Sequence, residues 1–398
     1  MRGRRRGRLA LVAHAAFPAD PRLRRQVDAL LAAGYEVDVF SLRERGEAPQ
    51  GLDGGLRVVR LPVSRRFVGF AGHLAEYAAF TVLAAARLGW EQRTRRYRLV
   101  QVATLPDFLV AAATVPKLAG VPLLLDLHED MPAFFADRFG RRALRPLAPV
   151  IDGVARGAAA VADRIITVHE PLRELAIRRG VPADKIAVVM NGADERVFDP
   201  NRHPRRPFMA DGQLRLIHHS ALQRIYGLEI AVRAVAELAA ERSAPTVRLD
   251  VYGEGPDRHR IETAIAARGV ADRVTLHGRV PLDDLPALLA DADVGLVPSL
   301  PEPYMHYSLS TKLLEYAAMG VPIIASDLRT FRAHLNDAAV CYVPGGDPAA
   351  LAAAIAETAR DPGVARARAD EARRQAAPYA WSVQARRYLD IVGQLVAS

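Results

Sequence analysis

Lys312 and Glu315 stand three residues apart in the stretch YMHYSLSTKLLEYAAMG, residues 304–320. The apolar spacing of Leu313, Leu314 and Ala317 predicts a helix that Ser310 caps and Gly320 ends. Lys312 then falls in the first turn, beside the positive end of the helix dipole. That is unfavourable for a cation unless an anion compensates it. Two readings are open. The pair is a local helical contact worth roughly 0.3 kcal/mol, or Lys312 meets a diphosphate while Glu315 accepts hydrogen bonds from ribose hydroxyls.

Other polar groups gather where apolar runs end. PLLLDLHEDMP (122–132) closes a buried strand with Asp126, His128, Glu129 and Asp130. Alternation turns Asp126 and His128 to one side. No second histidine has helical or hairpin spacing nearby, so a metal site is not predicted. His128 either positions a sugar or acceptor, or the cluster is turn chemistry. HAAFPADPRLRR (14–25) offers His14, Asp20 and Arg22 just before a helix, where free N–H groups hold an anion or Asp20 caps the end. In HHSALQRIYG, Arg224 is placed for phosphate and Gly227 for close backbone approach. In VYGEGP, Gly253 and Gly255 leave room for a nucleotide over the backbone.

The elements that must position these groups form two α/β series. The runs 9–15, 36–42, 56–62, 97–104, 121–127, 164–169 and 186–192 read as strands, and 22–34 and 107–120 as helices. Continuous apolar strands separated by helices predict a mostly parallel sheet covered on both faces. The polar segment 199–213 interrupts the pattern, and a second series follows it. The expected division is 1–200, 201–376 and a last helical segment 377–398, which either caps the second domain or crosses back to the first. A chain of 398 residues fits two such domains. Ligands then bind in a cleft at the C-terminal edges of the two sheets.

The formal charge of +9 suits anionic ligands, but scattered basic residues with no accompanying motif do not point to nucleic acid. The one cysteine, Cys341, rules out a disulfide framework or a cysteine-rich metal site. The N-terminal MRGRRRGRLALVAHAAF reads as a first core strand rather than a signal peptide. No run of 18 apolar residues predicts a spanning helix. The segment 65–96 is apolar and aromatic between arginines. It is either core helix or a surface for a membrane or an apolar acceptor.

DLHEDMP, VVMNGADERVF, VYGEGP and, most specifically, STKLLEYAAMGVPIIAS resemble the pattern of glycosyltransferase family 4 over nearly the whole chain. That resemblance implies a GT-B fold, two Rossmann-like α/β/α domains facing each other across a deep cleft. It implies a retaining hexosyl transfer from a nucleoside diphosphate sugar to an acceptor hydroxyl. Glu315 matches the family's ribose-binding glutamate, Lys312 a lysine near the diphosphate in some branches, and Gly253 and Gly255 the turn on the base side. His128 matches the histidine that contacts the transferring sugar. His14, Asp20, Asp126 and Tyr307 are the remaining candidates for substrate contact. The sequence departs from the family at Tyr307, where most members carry a glutamate, with Glu302 a nearby substitute. It departs again at Ile225 and Tyr226, which precede Gly227 where a basic residue is usual and leave Arg224 displaced.

The implied chemistry needs no dedicated cofactor or metal. Lys312 and Arg224 stabilise the leaving diphosphate, and the implied acceptor is a saccharide, free or lipid-linked, of polysaccharide or glycolipid assembly. The expected location is cytoplasmic, with peripheral contact on the inner face of the cell membrane. A nucleotide-sugar epimerase, a transferase for an aminocyclitol-type natural product and a non-catalytic nucleotide-sugar-binding partner are the competing readings.

Overall fold

A computed structural model of the chain describes residues 6–44, 46–63, 69–140 and 145–397. The first four residues of the arginine-flanked segment 65–96 lie outside them. The chain divides into two compact units, Met1–Met190 with Gln384–Ser398, and Asn191–Val383.

Unit one holds strands β1 (Arg8–Ala16), β2 (Glu36–Leu42), β3 (Gln50–Asp53), β4 (Leu56–Leu61), β5 (Leu99–Ala103), β6 (Leu123–Leu127), β7 (Arg164–Thr167) and β8 (Ile186–Val188). They form one sheet in the order β3-β4-β2-β1-β5-β6-β7-β8, parallel except for β3, an antiparallel edge strand that the sequence pattern did not reveal. Leu9 to Ala13 of β1 are all buried, as expected of a central strand covered on both faces. Its helices are α1 (Pro21–Ala32), α2 (Gly69–Arg95), α3 (Thr114–Leu118), α4 (Met131–Phe139), α5 (Ala148–Val161) and α6 (Glu170–Arg178). The single helix expected over 107–120 is instead a 3-10 stretch, Asp107–Ala113, followed by short α3. Pro116 has no N–H and is tolerated only in the first turn of a new helix.

Unit two holds β9 (Leu214–His219), β10 (Val247–Tyr252), β11 (Val274–Gly278), β12 (Val294–Val297), β13 (Ile323–Ser326) and β14 (Cys341–Val343). Its helices are α7 (Leu228–Ala240), α8 (Arg258–Ala267), α9 (Leu285–Asp291), α10 (Thr311–Met319), α11 (Arg329–Arg332), α12 (Pro348–Arg360) and α13 (Pro362–Ala376). The sheet order β11-β10-β9-β12-β13-β14 reverses direction between β9 and β12. That reversal opens a crevice at the carboxyl ends of the two strands. A last helix, α14 (Trp381–Ala397), starts in unit two and from Gln384 onward belongs to unit one.

The units change at 190/191 rather than at 200/201. The polar segment 199–213 is bound to the unit-two sheet. Arg205 donates to the carbonyls of Gly320 and Ala292, and buried Asp293 accepts from Arg206 and from the backbone N–H of Met209 and Arg215.

Candidate active site

In unit two, the sequence Leu-Arg-Leu-Ile-His-His ends β9 at the reversal point, and α10 begins beside it. Ser310 occupies the N-cap position of α10, but its side chain makes no capping bond and its buried Oγ has no partner among the described residues. The expected cap is absent, so the N–H groups of the first turn are not satisfied by that side chain. Lys312 is in that turn and 6% exposed. Its Nζ lies 4.7 Å from the centre of the Tyr226 ring. Burial lowers its pKa to about 8, with the attraction of Glu315 recovering only part of the loss.

Glu315 faces His219, whose Nε2 is 3.2 Å from its Oε2. Burial, then the charges of Lys312 and His218, keep His219 well below the usual imidazole range, so a neutral ring lies against the carboxylate. His218 behind it is fully buried and pushed down to about 3 by burial and by Lys312. Its Nδ1 contacts the Leu296 carbonyl at 2.9 Å, which assigns the proton there and leaves Nε2 to accept from Ser220 Oγ at 2.8 Å. Neither histidine was singled out from the sequence. A doublet at a strand end beside a glycine-bearing loop is the signal that points to them.

Gly253 and Gly255 serve loop packing before any nucleotide. A Cβ on Gly253 would meet the Ser220 carbonyl oxygen at 1.8 Å, and one on Gly255 the Leu222 carbonyl oxygen at 2.3 Å. Gly253 nevertheless lines a cavity of about 300 Å³ with His219, Tyr252, Arg279 and Leu282. Tyr252 stacks on His277 at 4.6 Å, which in turn contacts Asp250 at 2.6 Å. Arg279 follows β11 and Leu282 opens the 3-10 turn before α9, and both escaped sequence reading because no motif marks that connection. Gly227, at φ 67, lets its turn press against Pro298. Arg224 is held at that turn, its backbone N–H on Asp257 and its guanidinium 2.9 Å from Glu302. Tyr307 ends a 3-10 turn, Pro303–Tyr307, with the Arg329 guanidinium 5.9 Å from its ring centre.

In unit one, Asp126 is buried and its Oδ2 accepts from Gln26 at 2.7 Å and Gln101 at 3.1 Å, with His128 Nε2 also at 3.1 Å. A carboxylate with this many internal partners is held in place against the His128 ring. His128 Nδ1 is buried with no hydrogen-bond partner among the described residues, and the backbone N–H of His128 is fixed by Thr104 Oγ1 at 3.0 Å. Gln101 Nε2 also reaches Gln26 Oε1 at 2.8 Å, and Tyr388 of α14 donates to Gln101 Oε1 at 2.6 Å.

Asp20 caps α1, accepting from the N–H groups of Arg22 and Leu23. Burial would raise its pKa, but the charge and hydrogen bonds of Arg22, with nearby His128, hold it below the ordinary carboxylate value. His14 is wedged edge-on against Tyr77 and Phe80 with Nε2 3.1 Å from Glu76, so it fastens β1 to α2. Among the described residues, no group of three or more His, Cys, Asp or Glu is arranged to hold a metal ion.

Two α/β units with parallel sheets, one of the 3-2-1-4-5-6 order with a buried lysine at its reversal point, define a GT-B protein. Residues 19–192 match the family described as glycosyl transferase 4-like domain, and residues 213–361 match glycosyl transferases group 1. The chain is a glycosyltransferase of the GT-B fold. It is 28% identical to the 2-deoxystreptamine N-acetyl-D-glucosaminyltransferase of Streptomyces fradiae over 80% of this chain and 75% of that protein. Its fold is similar to that of sucrose-phosphate synthase from Thermosynechococcus elongatus, with a TM-score of 0.78, 22% identity, and coverage of 98% of this chain and 99% of that one. It is similar also to Anabaena HepE, solved in complex with UDP-glucose, with a TM-score of 0.71, 17% identity, and coverage of 97% and 99%.

Proposed function

We propose that the chain transfers a hexosyl group from a nucleoside diphosphate sugar to an acceptor hydroxyl with retention at the anomeric carbon. The observation that carries this reading is Lys312, a buried ammonium in the first turn of a helix whose N-cap side chain leaves that turn open. Lys312 and the α10 N–H groups take the diphosphate. Glu315, with His219 against it, takes the ribose hydroxyls, and the cavity beside Gly253 and Tyr252 takes the base. Arg224 adds charge at the rim, and Tyr307 meets the donor sugar where the glutamate usual in the family is missing.

In the reaction, the bond from the anomeric carbon to the diphosphate breaks and the electron pair leaves with phosphate oxygen. The acceptor oxygen bonds to the same face, and its proton passes to that phosphate oxygen. His128, held through Nε2 by Asp126, offers Nδ1 to a sugar hydroxyl. UDP-glucose in HepE supports a uridine donor as the first to try. The name of the Streptomyces fradiae relative supports an aminocyclitol acceptor as a second reading beside a polysaccharide or glycolipid one.

Product analysis over UDP-, GDP- and dTDP-sugars tests the reaction. Transfer of label to an added acceptor is expected, and isomerised donor with no transfer would replace this reading by epimerisation. The lysine adds a pH signature. With its pKa near 8 in the free site, affinity for UDP declines from pH 7 to 9, by up to about tenfold per unit above that value. Titration calorimetry should show the decline in the wild type, and Lys312→Arg should move it out of this range. A flat wild-type profile contradicts the assignment.

The same reading places the chain in the cytoplasm at the inner face of the membrane. No helix among the described residues is long and apolar enough to cross one. Helix α2 buries Phe80, Ala84 and Leu88 and turns Leu74, Ala78, Val82, Ala86 and Trp90 outward at every fourth position, with Arg93 following. Binding to phosphatidylglycerol vesicles at low salt is expected, weakened by salt and by Trp90→Ser. Equal sedimentation with and without vesicles counts against it.

A further inference from the structure

Alternation along β6 gives unit one a second polar site. While Asp126 turns toward Gln26 and Gln101, Leu125 and Leu127 turn to the opposite face of the sheet. There, with Ile165 of β7, they floor a cavity of about 520 Å³, within the range of small-molecule sites. Ala159 of α5 and Ala176 of α6 close it from the other side, and their small side chains leave the space open. The mechanism uses none of these residues.

The charged lining is three carboxylates and three arginines, unequally satisfied. Asp107, Asp130 and Asp152 all line the cavity. Of the arginines that also line it, Arg179 is paired with Asp130, Arg178 is 3.7 Å from Glu174 on its own helix, and Arg156 is exposed. Asp107 is 2% exposed, and its Oδ1 has no hydrogen-bond partner among the described residues. A buried carboxylate oxygen left without a donor is costly, and a ligand that brings an N–H removes the cost. Burial first, and then the charge of Asp130, raise the Asp107 pKa to about 7, against the pull of Arg179, so a cation entering the cavity would favour its ionised form.

We infer that this cavity binds a small organic cation, a primary amine on a compact apolar skeleton, with the ammonium on Asp107 and the skeleton on Leu125, Leu127 and Ile165. The apolar floor selects against a fully hydrated ion. The buried carboxylate oxygen of Asp107, which lacks a donor, selects for a ligand that brings an N–H. Asp107 opens the 3-10 stretch just after Thr104, which fixes the His128 backbone, and Asp130 follows His128 by two residues. The occupant therefore lies against the reverse side of the loop that carries His128. The inference stands on this cavity alone and does not depend on the donor reading.

Cyclohexylamine and its neutral counterpart cyclohexanol test it by calorimetry on the full chain at pH 8. Saturable binding of the amine is expected, at least about tenfold tighter than the alcohol, as a charge-assisted hydrogen bond to a buried carboxylate gives. Asp107→Asn should erase that preference. Ala159→Phe, which fills the cavity, should abolish binding of both, and saturating UDP should displace neither. Equal binding of amine and alcohol, no saturable binding of the amine, or displacement by UDP overturns the inference. If Asp107→Asn does not fold, amine binding that survives Ala159→Phe overturns it equally.

Discussion

Lys312→Met lowers kcat/KM for the nucleoside diphosphate sugar by about 10²–10³-fold, the usual loss when one fixed donor to a developing oxyanion is removed. The loss divides between the two constants. On the proposed assignment the lysine contacts the diphosphate in the bound donor, so its loss raises KM. The negative charge grows as the glycosidic bond breaks, which lowers kcat. Glu315→Ala behaves differently. The ribose contacts proposed for it would be the same before and during bond cleavage, so KM for the donor rises while kcat changes less. Stability moves the other way from activity. The wild-type protein keeps an ammonium in a site that penalises its charge, and methionine fills the same space without that penalty. The ligand-free Lys312→Met protein should therefore melt above the wild type, while the stabilisation conferred by UDP shrinks. Steady-state kinetics and thermal melts with and without UDP check both halves. A variant that melts higher yet keeps full activity would show that Lys312 is not at the diphosphate.

Gly253→Ala has the largest expected effect on folding. The position has φ 142, and an added Cβ falls 1.8 Å from the Ser220 carbonyl oxygen. That oxygen does not yield easily. The 220–222 loop is tied to the 252–254 loop by Ser220 N–H on Tyr252 and Leu222 N–H on Glu254, each at 3.0 Å. Backbone strain of about 1–3 kcal/mol adds to an overpacking cost of similar size. A loss of about 3–5 kcal/mol in denaturant unfolding of unit two is expected, with weaker UDP binding because the 220–222 loop follows His219. Gly34→Ala is the control. Gly34 also has a positive φ, 87, but nothing lies within 4 Å of an added Cβ. It carries the strain without the collision and should cost about 1 kcal/mol. Equal losses at the two sites would mean that the loop contact is not what requires glycine.

The legible parts of this molecule were those decided locally. The periodicity of STKLLEYAAMG placed Lys312 in a first turn, and the glycine at 320 ended the helix. The strands announced themselves as apolar runs because both faces of each sheet are covered. What escaped depends on residues far apart in the chain. Gln26 and Gln101 look like isolated polar residues, and only the packing of α1 against β5 and β6 gathers them on Asp126. Ser310 has the right residue type for a cap, but the cap bond depends on how its side chain turns. The segment 199–213 has the composition of a linker. Its arginines instead find backbone carbonyls and Asp293 more than 80 residues further along.

Tyr388 gives the order of synthesis a structural meaning. The donor to Gln101, and so to the group of hydrogen bonds that holds His128, comes from α14, which a ribosome makes only after all of Asn191–Val383. Unit one can begin to fold as soon as its strands emerge, but its histidine is fully supported only when the second unit has already been made. A chain released early, short of residue 388, would carry the sheet without the last brace.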